Sequence, residues 1–201
     1  MARKNQSRTK RNSKKLTIND KLVIYLNDAL AIENAAIPRL QQRIKEASLP
    51  EAKEQLKHHL EETREQQGRL EQLISNLGGK PIHEAARLPV PAAPKGLTNA
   101  MKQSLTEAER QLVATKEDAI IENAEIVMYD TLNQLAQIMG VGDAVPVLAQ
   151  NLNEEKEMGD WLRANTPAMI TQLYPEIQSS VTSEAAGGSE VQAGAGTAAE
   201  A

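Results

Sequence analysis

Apolar positions along this chain recur in steps of three and four, and no stretch alternates apolar with polar residues. That is the period of helices burying one stripe, so an all-α fold is expected and a sheet is not. Punctuation divides the pattern into four main helices. Thr17, with Asp20 three residues on, can cap the first, which runs to about Ala47. Ser48, Leu49 and Pro50 break and restart the chain. A second helix runs from about Glu51 to Leu77 and stops at Gly78-Gly79. Pro81, Pro89, Pro91 and Pro94 make residues 80–96 a crossover with little regular structure. A third helix is expected from near Leu97 to Met139-Gly140. Asp143 can cap the fourth, with Pro146 in its first turn. This helix is expected to end before Thr166-Pro167, and a short fifth helix to follow through Tyr174.

The connections are short, long and short. That order suits two helical hairpins joined by one crossover, the layout of a ferritin-like four-helix bundle. An internal repeat supports it. Ile32-Glu33-Asn34-Ala35-Ala36-Ile37 and Ile121-Glu122-Asn123-Ala124-Glu125-Ile126 agree at five of six positions, 89 residues apart. The second and fourth helices align more loosely at an offset of 92, which sets Leu60 on Leu152, Glu62 on Glu154 and Leu70 on Leu162.

Each main helix carries carboxylate at mid-length on or beside its apolar stripe. On the first helix Glu33 falls among Leu22, Leu26, Ala29, Ala36, Ile37, Leu40 and Ile44. On the second, His59, Glu62, Thr63 and Gln66 interrupt a stripe of Leu56, Leu70, Leu73 and Leu77. On the third, Glu122 and Glu125 share a face with Ile126, Tyr129, Leu132 and Ala136. On the fourth, Glu154 and Glu155 flank the line through Val147, Met158 and Leu162. Buried carboxylates are costly and repel one another, and a pair of divalent ions would neutralise them. Ferritin-like centres take one Glu from each of two helices and a Glu with a His three residues later from each of the other two. Here His59 precedes Glu62 by three residues, Asn151 holds the equivalent place on the fourth helix, and that helix has no histidine. The candidate ligands are Glu33, His59, Glu62, Glu122, Glu125, Glu154 and Glu155, an oxygen-rich set suited to manganese or iron. In the competing arrangement, these acids are semi-exposed at a wide bundle seam, or pair with Arg39, Arg64, Arg69 or Lys116, and bind no metal.

Composition narrows the chemistry. Cysteine is absent, which excludes disulfides, zinc-thiolate sites and thiol catalysis. No apolar run is long enough to cross a bilayer, and no apolar segment follows the basic N-terminus, so a cytoplasmic protein without membrane contact is expected. Arg3, Lys4, Arg8, Lys10, Arg11, Lys14 and Lys15 make a basic arm without acids. These seven charges sit in a chain of net charge −4, so the remainder stands at −11. Residues 1–16 are expected to be a disordered arm, able to bind nucleic acid or another polyanion through residues 1–15. Residues 17–177 form the bundle, and residues 178–201, rich in Gly, Ala, Ser and Glu, form a disordered tail.

His59-Leu60-Glu61-Glu62-Thr63, followed by Gln66 and Arg69-Leu70-Glu71, resembles the second helix of the ferritin-like stress protein family that includes YciE and YciF. Glu122, Glu125 and Tyr129 resemble its third helix, and Leu152, Glu154-Glu155 and Trp161-Leu162 its fourth. The resemblance covers roughly residues 17–175. It implies a two-hairpin bundle, often a homodimer, with a di-metal centre and a role in bacterial stress. By position it makes Glu33, Glu62, Glu122, Glu125 and Glu154 or Glu155 the metal ligands, with His59 and Gln66 beside them. Two functions follow. One is a di-iron or di-manganese protein reacting with peroxide or dioxygen. The other is a metal-free bundle acting through its basic arm.

Overall fold

In the computed structural model, residues 15–187 are described, with side chains through residue 181. The expectations for the basic arm before Lys15 and for the tail beyond Gly187 fall outside these residues. Helix α1 (Ile18–Glu46) opens on a reciprocal cap. Thr17 Oγ1 accepts from the Asp20 amide at 3.0 Å, and Asp20 accepts from the Thr17 amide at 2.7 Å. Helix α2 (Pro50–Asn76) starts on Pro50 and ends where Gly78 takes φ 79°, a conformation that favours glycine. The Gly79 amide then closes on the Ile74 carbonyl at 2.9 Å. Gly79 also leaves room for α1: a Cβ there would lie 2.5 Å from Val23 Cγ1.

The third expected helix is two. Helix α3 (Lys95–Ser104) is separate and buries none of its residues. Leu105 is extended, and α4 (Glu107–Ile138) begins on its own cap, with Thr106 and Glu109 bonded reciprocally at 3.1 and 2.8 Å. The C-terminal expectation is also corrected. Helix α5 (Ala144–Gly187) runs unbroken through Pro167 and Pro175, so there is no separate fifth segment and the helix passes the expected tail boundary. An internal proline costs about 3 kcal/mol. Burying Met169 and Leu173 contributes about 1.5–3 kcal/mol each and offsets much of that cost. Thr166 also donates to the Leu162 carbonyl at 2.6 Å, beside the turn that Pro167 interrupts.

Helices α1 and α2 form one hairpin and α4 and α5 the other; α1 lies on α4 and α2 on α5. The crossover is irregular but pinned to α1. Asn27 donates to the Lys80 carbonyl at 3.3 Å and accepts from the Ile82 amide at 2.8 Å. The Ala86 amide reaches the Ala31 carbonyl at 2.7 Å, and Asn34 donates to the Glu84 carbonyl at 3.1 Å. Among the described residues there is no strand, and no helix is long and apolar enough to cross a membrane.

The core has two apolar clusters. One contains Leu22, Leu26, Leu30, Leu70, Leu73, Tyr129, Leu132, Leu148 and Leu152. The other contains Leu40, Leu56, Leu60, Met158 and Leu162. Along α1, α4 and α5 the buried acids Glu33, Glu122, Glu125 and Glu155 fall at the boundary between them.

Candidate metal centre

Helical spacing brings this polar layer together. Glu33 comes from α1, His59 from α2, Glu122 and Glu125 from α4, and Glu155 from α5. Each is at most 3 % exposed. His59 Nε2 lies 3.2 Å from Glu122 Oε2 and 3.7 Å from Glu155 Oε2. One donor atom from each of these three side chains fits within a mutual spacing of 4.8 Å. His59 Nδ1, on the opposite ring edge, lies 3.3 Å from Glu62 Oε2. A cavity of about 10 Å³ borders His59, Glu122 and Glu125, with Ala36, Arg39 and Asp118 also in its wall.

Three carboxylate oxygens in this layer are buried without a hydrogen-bond partner: Glu122 Oε2, Glu125 Oε1 and Glu155 Oε2. Orphaned buried acceptors cost about 1–3 kcal/mol each, and more if charged. Carboxylate oxygens of Glu122 and Glu155 with the imidazole nitrogen of His59 make a suitable donor set for a divalent ion. The backing of the ligating ring by a carboxylate is the arrangement that orients metal-bound histidines. The residues therefore fit a cation.

The electrostatics describe the same layer without one. Burial pushes Glu33 up to about 7, against the pull of the Tyr129 hydroxyl and of His59. Burial, then the neighbouring acids, holds Glu125 and Glu155 well above the usual carboxylate range. Burial disfavours the charged form of His59, but Glu122, Glu62 and Glu155 together outweigh it and raise the ring well above its ordinary value. Glu62 is only part-buried; His59 and His58 overcome its desolvation and lower it. Without a cation the layer keeps protons that solvated carboxylates would have lost.

Of the expected ligands, Glu33, His59, Glu122, Glu125 and Glu155 share the buried layer. Glu62 stands behind His59, with 17 % of its side chain exposed. Glu154 faces the α2–α5 seam, where it pairs with Arg69 and accepts from Gln66 and Gln150, each at 3.0 Å. The pairing with arginine expected of a metal-free seam is thus present at Glu154. It is present again at Asp118, which accepts from Arg39 and from Arg43 at 2.7 Å each. The sequence marks Asn151 only as the counterpart of His59 and not as a ligand, yet it is fully buried and accepts from Arg69 Nε at 2.8 Å. Its place one turn before Glu155, on the same face, was the available signal.

Known proteins carry this architecture. The chain is similar to a protein of Xanthomonas campestris, at 23 % identity and TM-score 0.65, covering 81 % of this chain and 99 % of that one. It is similar to YcfI of Rhodopseudomonas palustris, at 29 % identity and TM-score 0.62, covering 77 % and 96 %. It is similar in fold to the E. coli stress protein YciF, at 21 % identity and TM-score 0.57, covering 78 % and 99 %. The helical bundle is ferritin-like, as the hairpin order implied. Residues 17–174 match the profile of the family described as a domain of unknown function, DUF892. That span holds every residue of the buried layer, and the chain belongs to this YciF-like family.

Proposed function

We propose that the polar layer is a metal centre for iron or manganese and that the protein uses it on peroxide or dioxygen during stress. The observation that carries this reading is the convergence of two partnerless carboxylate oxygens, Glu122 Oε2 and Glu155 Oε2, on His59 Nε2. The stress-protein description of YciF, a fold neighbour, is the context for the physiological part. A redox-active ion would be held at the position bounded by His59, Glu122 and Glu155, where it would supply single-electron chemistry to an oxygen-containing substrate.

The chain's own residues prepare that position. Glu62 would hold a proton on His59 Nδ1, so that loss of the Nε2 proton would turn the Nε2 lone pair toward Glu122 and Glu155. Tyr129 donates its hydroxyl to Glu33 and fixes that carboxylate. The apolar clusters on either side exclude bulk water, so charge on the ligands is felt strongly. Loading requires the layer to release protons from His59 Nε2 and from the raised carboxyls.

The test is metal content. Protein purified without chelator, or dialysed against manganese or ferrous ion and then desalted, should retain metal. Glu122→Gln and Glu155→Gln should each lose most of it while keeping a helical spectrum. Retention of no metal by the wild type, or equal retention by both variants, would overturn the reading.

A further inference from the structure

We propose that the centre takes one divalent ion and that the Arg69 guanidinium holds the second cation's place. This rests on the metal reading above. The internal repeat shows where a second half-site would be. At the offset of 92, His59 corresponds to Asn151 and Glu62 to Glu154. In the first half, the His59 ring is backed by Glu62 and turns Nε2 inward. In the second half, both counterparts are bound by one arginine: Arg69 donates to Asn151 Oδ1 at 2.8 Å and to Glu154 Oε2. Both Glu154 oxygens are engaged: Oε1 accepts from Gln150, and Oε2 also accepts from Gln66.

The remaining donors divide the same way. The partnerless oxygens belong to Glu122, Glu125 and Glu155, all from the second hairpin, and His59 Nε2 of the first meets those of Glu122 and Glu155. Glu33, the repeat partner of Glu122, is engaged by the Tyr129 hydroxyl. Arg69 is largely buried, with 18 % of its side chain exposed. A guanidinium cannot lose its charge and fits carboxylate and amide oxygens in a planar fork. The His59 half-site therefore keeps a place for a metal, and the Asn151 half-site carries a permanent organic cation instead.

Manganese binding to the full chain, by equilibrium dialysis with metal analysis, tests this. The wild type should saturate at one ion per chain. Arg69→Gln, which frees Asn151 and Glu154 without adding an acid, should take up a second ion and rise toward two. Two ions in the wild type would overturn the single-ion proposal while leaving the metal reading intact. No ion in the wild type would overturn both. One ion in a folded Arg69→Gln protein would overturn the role given to Arg69. As a check independent of folding differences, manganese-soaked wild-type crystals should show one anomalous peak beside His59, and two peaks would overturn the proposal.

Discussion

At Glu33 a carboxyl and a phenol share a proton-rich contact inside the bundle, and two predictions follow from it. Glu33 titrates near 7 in the folded metal-free chain, against an ordinary value of 4.5. Between these values the folded chain keeps a proton that the unfolded chain has lost, so metal-free stability should fall as pH rises through that window. The interval corresponds to on the order of 3 kcal/mol from this group. Glu125 and Glu155 are raised as well and act in the same direction. So does His59, whose raised value gives stability that is complete below its unfolded titration and lost on the alkaline side. Urea denaturation of chelated protein at pH 5 and pH 7.5 should place the higher midpoint at pH 5; the reverse order would refute this account. Tyr129→Phe should cost about 1–3 kcal/mol, because it removes a fully buried donor and strands the Glu33 oxygen. An unchanged urea midpoint would show that the contact contributes nothing. Glu33, Glu122 and Glu125 were legible in the sequence as acids on clear apolar stripes. The choice between Glu154 and Glu155 was not. The expected stripe on α5 ran through Val147, whereas the buried line runs through Ala144, Leu148 and Leu152. That one-residue shift turns Glu155 inward and sends Glu154 to Arg69.

Helix ends and long-range straps separate what local sequence can reveal from what it cannot. The cap at Thr17 was read correctly, because a capping box needs only four residues. The same signature at Thr106-Glu107-Ala108-Glu109 marks the true start of α4, inside the stretch where the apolar period alone suggests one long helix. Continuity of α5 through two prolines could not be read locally. It depends on tertiary burial of Met169 and Leu173, and on the Glu176 carboxylate, which returns to accept from the Ala108 amide at 3.1 Å. The crossover illustrates the same limit: its prolines announce irregular backbone, but Asn27 gives no sign that it will fasten residues 80 and 82. Asn27→Ala should cost about 1 kcal/mol, the typical net value of a hydrogen bond. It should also speed hydrogen exchange at the Ile82 amide while leaving the α4 interior protected. Unchanged exchange at Ile82 would mean that the Ala86 and Asn34 contacts hold the crossover by themselves.

In the molecule as a whole, an apolar core is divided by a charged layer, and protons and metal should compete for that layer. Without metal, the raised carboxyls and the imidazolium of His59 keep protons well above the pH at which solvated carboxylates lose them. A divalent ion binds their deprotonated forms and must displace those protons. Apparent metal affinity should therefore rise with pH across the neutral range, opposite to the trend of metal-free stability. The two trends make the increment due to metal largest at alkaline pH. An ion present at a hundredfold excess over its dissociation constant adds about 2.7 kcal/mol. For a domain of this size that is a rise in Tm of roughly 5–10 °C. Thermal unfolding with and without manganese should show such a shift at pH 8 and a much smaller one at pH 5.5. His59→Ala should abolish it at both, since it removes the nitrogen that faces Glu122 and Glu155. A manganese shift equal at the two pH values would disconnect the ion from the proton-holding layer. A shift surviving His59→Ala would place the bound ion elsewhere on the acidic bundle.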